Sequence, residues 1–162
     1  MRVIIAIDQT NYWKQVVDAV IKRHWPKDTS FRVMTVLPLI EWKDVEGLGS
    51  SEILQEIIKM RHKAAENILH QAREQLIEKI ADCSAHTDLR QGSPRGEILD
   101  AAVEWMADKI VLGAHGHAPN RLLPGAVSRS VAQHARCSVE LIRLKTVSNM
   151  EGQPRHKQAS TV

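Results

Sequence analysis

Two hydrophobic periods alternate along this chain, and that alternation limits its fold more than any other feature. Residues 3–7 (Val-Ile-Ile-Ala-Ile) form a continuous apolar run of strand length, the pattern of a strand buried on both faces of a parallel sheet. Behind it, Val16, Val17, Val20 and Ile21 fall on one side of a helix that Asn11 can cap and Pro26 stops. Residues 31–37 read as a second strand closed by Pro38, and residues 39–50, with Gly47 and Gly49, as a loop. The longest helical pattern covers residues 51–80, with Ile53, Ile57, Met60, Ala64, Ile68, Ala72 and Leu76 spaced by threes and fours. A polar strand over 84–90 follows. Ser93-Pro94 then opens a helix carrying Ile98, Ala101, Ala102, Trp105 and Met106. Residues 109–112, 126–136 and 138–144 complete the series as strand, helix and strand.

Strands that alternate with helices in this way predict an open parallel α/β sheet with helices on both faces. In such sheets ligands bind beyond the carboxyl ends of the strands, where the strand order reverses. Two strand ends carry suitable chemistry: Asp8 after the first, and Gly113-Ala114-His115-Gly116 after the fourth. The 162 residues suffice for one core, predicted over 1–145, while 146–162 is nearly devoid of apolar residues and reads as a disordered polar tail. No apolar run approaches the ~20 residues of a membrane helix, and the first apolar run ends at Asp8 rather than at a cleavage site. The 22 basic residues are scattered among 19 acidic ones, and no aromatic is interleaved with them, so a nucleic-acid surface is not expected. Two cysteines, Cys83 and Cys137, are too few for a disulfide scaffold and imply a reducing, cytoplasmic setting. Both read as packed small hydrophobes.

The glycine turn has a physical reading of its own. Glycines at 113 and 116 let the backbone approach a ligand, and Gly125 opens a helix whose free N–H groups favour an anion. The same two glycines would serve equally well in a tight strand-to-loop turn. Neither a Walker A sequence nor GxGxxG is present. His115-x-His117 supplies two metal-ligand types without a third nearby, and His117 more readily adds a pH-dependent charge. The charged face of the long helix (Lys59, Arg61, Lys63, Glu66, Arg73, Glu74) reads as solvated surface.

Several segments together resemble the universal stress protein family. They are Val3–Asp8 with its terminal aspartate, Gly92-Ser93-Pro94 followed by Glu97-Ile98-Leu99, and residues 107–116 continuing through Arg121-Leu122-Leu123 and Gly125-Ala126-Val127-Ser128. His134-Ala135-Arg136-Cys137-Ser138-Val139 completes the likeness. The resemblance implies a five-stranded, Rossmann-like parallel sheet of order 3-2-1-4-5 and a homodimer formed through the last strand. It also implies ATP across the first and fourth strands, accompanied by a divalent ion such as Mg or Mn that no protein side chain need hold. Carried over by position, Asp8 and the Val36 backbone would contact the adenosine end. Gly113 and Gly116 would line ribose and phosphates, with His117 near the phosphates. Gly125, the Ala126 and Val127 backbone and the Ser128 hydroxyl would hold the phosphates.

The chain departs from the family pattern in three places. Eight residues rather than nine separate Gly116 from Gly125, Ala126 replaces the usual Ser or Thr, and Gln9-Thr10 replaces a small Gly-Ser pair. One deleted residue moves a backbone by up to ~3.5 Å if nothing relaxes. A lost hydroxyl-to-phosphate bond costs roughly 1.5–3 kcal/mol. A site built from backbone N–H groups tolerates both. Catalysis finds little support, because the glycine region offers no lysine, no carboxylate other than Asp8, and no group to position water beside Arg121 and Arg129. The expected function is that of an adenine-nucleotide-binding stress-response regulator with at most weak ATP hydrolysis. The alternative is a dimeric interaction module whose site no longer binds nucleotide.

Overall fold

A computed structural model describes residues 1–40, 51–114 and 124–145. The strands are β1 (Arg2–Ala6), β2 (Thr29–Leu37), β3 (Cys83–Gln91), β4 (Lys109–Gly113) and β5 (Ser138–Ile142). The helices between them are α1 (Trp13–Ile21), α2 (Ser51–Lys79), α3 (Pro94–Glu104) and α4 (Ala126–His134). All strand pairs are parallel and the order is β3-β2-β1-β4-β5, the arrangement that the resemblance implies.

Central β1 is apolar on both faces because both faces are covered. Val3, Ile5 and Ile7 pack with Phe31, Val33 and Val111 beneath α1 and α2. Ile4 and Ala6 pack with Met34, Ile110 and Leu112 beneath α3 and α4. Trp25 closes the first of these cores, edge-on to Phe31 at 5.2 Å between ring centroids, with its indole N–H donated to the Val20 carbonyl at 2.8 Å. Among the described residues the edge strands β3 and β5 each have one neighbour, which explains why they carry more polar residues than β1.

The structure shifts the buried stripe of the long helix. Ala65, Leu69, Ala72 and Leu76 face the sheet, whereas Met60 and Ala64 are exposed and Ile57 and Ile68 half-buried. Several spacings of three and four fit one apolar helix, and the stripe chosen is the one whose two alanines permit close approach to β2 and β3. Arg73, expected to be solvated, lies on the edge of that stripe and donates from Nε to the Ala85 carbonyl at 2.9 Å. Glu140 pairs with Arg23 and with Lys109 (3.4 Å), so this charge on β5 is neutralised inside its own chain. The predicted tail at 146–162 and residues 41–50 of the predicted loop lie outside the described residues.

Candidate functional site

β1 and β4 are neighbours, yet the chain leaves β1 toward α1 on one face and β4 toward α4 on the other. Divergence of two adjacent connections is what opens a crevice at a switch point. A cavity of about 600 Å³ lies there, with Asp8, Val36, Gly113, Gly125, Ala126, Val127 and Ser128 all on its walls. Gly116 and His117, together with His115 and Arg121, lie outside the described residues.

On the β1 rim, Asp8 Oδ1 accepts both the N–H (3.1 Å) and the hydroxyl of Thr10. Thr10 in turn accepts the Tyr12 N–H at Oγ1 (3.4 Å) and the Trp13 N–H at its carbonyl (3.3 Å). This aspartate-threonine turn starts α1. Tyr12 stands at the N-cap without a side-chain cap bond, so Asn11, which is exposed, is not the cap that its residue type suggests. The turn also sets Tyr12 and the buried Trp13 into the cavity wall. Asp8 Oδ2 has no partner among the described residues and remains available.

The β2 wall offers backbone groups. The β1–β2 ladder ends at Ala6 opposite Met34, whose carbonyl accepts the Ile7 N–H at 2.9 Å. The Leu37 carbonyl points the other way, to Gly92 N–H at 2.9 Å beyond β3. Strand parity therefore turns the N–H and C=O of Val36 toward β1, past the end of the ladder, where they open into the crevice.

The β4 rim is stitched at one atom. The Ala114 carbonyl accepts the Gly125 N–H at 2.7 Å and the Ser128 hydroxyl at 2.8 Å. These bonds tie the end of β4 to the start of α4. The first intrahelical bond runs from Arg129 N–H to the Gly125 carbonyl at 3.0 Å, which leaves the N–H groups of Ala126, Val127 and Ser128 without helical acceptors. Ser128 is only 3% exposed, and its one hydroxyl proton is directed at Ala114 and, at 3.1 Å, Gly125. Its geometry is that of a brace between the end of β4 and the start of α4. Gly113 and Gly125 do not adopt the left-handed backbone that glycine permits. A Cβ on Gly113 would lie 3.1 Å from Leu144 and 3.6 Å from Val16, so the residue is small because two side chains pack against it under the cavity floor.

Arg61 is the residue that sequence reasoning missed. It lines the cavity, half-buried, with Nη2 3.3 Å from the Pro38 carbonyl. Its own carbonyl accepts the Gln9 amide at 3.0 Å, which joins α2 to the β1 rim. The signal was present: Arg61 precedes Ala65 by four residues and Leu69 by eight, which continues the true inward stripe by one turn. Asp8 and Arg61 are the charged side chains among the described lining residues. Neither cysteine lines the crevice; both are free thiols, and burial pushes both thiols up, as expected of packed residues rather than nucleophiles. No group of three or more His, Cys, Asp or Glu suited to a metal occurs among the described residues, and no helix among them is long and apolar enough to cross a membrane.

The parallel sheet of order β3-β2-β1-β4-β5, with a crevice at the β1/β4 switch point between a terminal aspartate and a helix N-terminus, defines a Rossmann-like α/β domain. The universal stress protein family model matches residues 1–143, and the chain belongs to that family. A universal stress protein from Synechocystis is 25% identical over 152 residues, which cover 88% of this chain and 97% of that one. Among solved structures, the universal stress protein UspA from Lactobacillus plantarum has a TM-score of 0.72 at 21% identity, covering 88% of this chain and 97% of that chain. A universal stress protein family member from Arabidopsis thaliana, solved with AMP bound, has a TM-score of 0.63 at 17% identity, covering 88% and 90%.

Proposed function

We propose that this protein binds an adenine nucleotide, ATP in the first place, in the β1/β4 crevice and acts in the cytoplasm through its bound state rather than through turnover. One observation carries the reading: a cavity of about 600 Å³ has the Val36 backbone, beyond the end of the β1–β2 ladder, at one wall and N–H groups without helical acceptors at the other. The Val36 N–H and C=O present a donor and an acceptor side by side, as the 6-amino edge of adenine requires. The Ala126 and Val127 N–H groups, with the positive end of the α4 dipole, suit an anion. Asp8 Oδ2 is placed to accept from the nucleoside. The relative solved with AMP supports the same ligand class in this family. Where a divalent ion accompanies ATP, the phosphates themselves would hold it, since no carboxylate among the described residues stands on the β4 rim.

The protein is further proposed to pair as a homodimer through β5. Among the described residues that strand has β4 as its one neighbour, and its other backbone edge is suited to a second copy. Pairing of Glu140 with Arg23 and Lys109 removes an unpaired charge that would otherwise oppose the contact. A monomer mass in sedimentation at tens of micromolar would defeat the dimer. For the nucleotide, purified protein is denatured and the supernatant analysed for adenine nucleotide, and melting is followed with and without Mg-ATP. A rise in melting temperature with ligand is expected. No release and no shift at millimolar ATP would leave an interaction module with an idle crevice.

A further inference from the structure

We propose that Arg61 reads the base in this crevice and lets it accept a 6-oxopurine, guanine, besides adenine; the proposal rests on the nucleotide reading above. Arg61 belongs to the β2 wall through its contact with the Pro38 carbonyl, two residues beyond Val36. The helix N-terminus proposed for phosphate belongs to the β4 wall, and β1 separates the two strands. With neighbouring strands ~4.8 Å apart, those walls stand roughly 10 Å from each other. The guanidinium is therefore at the base end.

Its bonding is incomplete. The contact to Pro38 is long at 3.3 Å, and Nε and Nη1 have no partner among the described residues. Arg23, Arg32 and Arg90, by contrast, are each paired with a carboxylate. Adenine presents a 6-amino donor that suits the Val36 carbonyl, whereas guanine presents O6 and N7, two acceptors that the Val36 carbonyl alone would reject. A planar guanidinium fork is the group that matches that pair of acceptors.

Calorimetric titration of wild type, Arg61→Gln and Arg61→Lys with ATP and with GTP decides the matter. Wild type is expected to bind both. Arg61→Gln should lose GTP affinity about fivefold or more beyond any loss for ATP. Arg61→Lys should behave like the Gln variant, because it keeps the charge and lacks the fork. Both replacements are good helix formers, and the Gln9 bond to residue 61 uses its backbone, so the melting temperature should hold. A general loosening of α2 would lower both affinities together and leave their ratio unmoved. ATP binding with an unchanged ATP-to-GTP ratio in the variants overturns the role of Arg61 and leaves the nucleotide site standing. Failure of wild type to bind either nucleotide overturns both.

Discussion

The two rims of the crevice are built by the same device and end with opposite chemistry. On the β1 rim a side chain, Asp8, folds the following turn by accepting twice from Thr10. On the β4 rim a side chain, Ser128, braces the preceding loop stem by donating to Ala114. A carboxylate has two oxygens, so Asp8 holds its turn with one and keeps the other. A serine has one proton, and Ser128 directs it at Ala114. In the proposed site the β1 rim would therefore engage a ligand through a side chain, whereas the β4 rim would engage it through backbone N–H groups. On this reading an alanine at 126, where the family pattern has Ser or Thr, should cost less binding than loss of the aspartate would.

Asp8 should give the largest effect, because two roles meet in it. Asp8→Ala is expected to weaken ATP binding by roughly 1.5–3 kcal/mol. It should also lower the stability of the free protein by about 0.5–2 kcal/mol, the range for a lost helix-initiating acceptor. The Thr10 turn, which Asp8 Oδ1 holds, is the reason that the free protein loses stability as well. Asp8→Asn separates the roles, since the amide oxygen still accepts from Thr10 while the charge is gone. Its melting temperature should stay near wild type as its affinity drops. If Asp8→Asn binds ATP as tightly as wild type, the β1 rim has no ligand-binding carboxylate and the comparison collapses.

Ala126→Ser sharpens the other rim. Residue 126 is exposed at the first position of α4, where serine is well accepted. A hydroxyl there adds one bond to a charged phosphate oxygen. The gain should be ~1.5 kcal/mol, slightly more than tenfold in dissociation constant. It should appear with ATP and be nearly absent with adenosine, because only the phosphates reach the helix. Titration calorimetry with both ligands is the measurement, and a gain of equal size for both would place the phosphates elsewhere.

The sheet was legible because its central strands β1 and β4 are short apolar runs bounded by breakers, and parallel pairing leaves few ways to order the rest around them. The site was legible in outline because Asp8, Val36 and the segment Gly125–Ser128 lie at strand or helix ends, where topology alone sends them to the crevice. What escaped depended on rotation and hydrogen-bond partners. Arg61 was hidden because the stripe through Met60 and Ala64 is as periodic as the true one through Ala65 and Leu69, and only the sheet decides between them. Asn11 looked like a cap by type, but a carboxylate three residues earlier with a threonine between them made a better turn. Gly113 reads as a ligand or turn glycine, and its packing against Leu144 was hidden because Leu144 follows β5, which the fold alone sets beside β4.

Ser128→Ala tests the brace directly. The Ala114 carbonyl keeps its bond from Gly125, so no buried acceptor is orphaned and only one hydrogen bond is lost. The free protein should lose about 1 kcal/mol, ~2–4 °C in melting temperature. ATP affinity should change less than threefold, on the order of 0.6 kcal/mol. The reverse outcome, unchanged melting with a strong loss of ATP, would make Ser128 a phosphate ligand and erase the asymmetry between the rims.

The smallest effect is expected away from both rims, on the outer end of a crevice wall. Pro94 and Ile98 of α3 line the cavity, and the other end of that helix is tied to β3 by Glu104, whose carboxylate accepts from Arg90 at 2.6 Å. That bond, and the guanidinium charge behind it, hold the Glu104 carboxyl below the usual carboxylate range, and the same contact raises Arg90. A lowered folded value means the unfolded chain binds the proton first. The contribution is thus complete above the ordinary glutamate range and is lost as pH falls through the lowered value. Glu104→Gln should lower melting slightly at neutral pH and flatten its decline between about pH 5 and pH 3. Because Glu104 is exposed, the difference is that of a surface pair. ATP affinity at neutral pH should not move. If it does, the far end of α3 is coupled to the cavity, and the crevice is shaped by its walls as well as by the two turns at its rims.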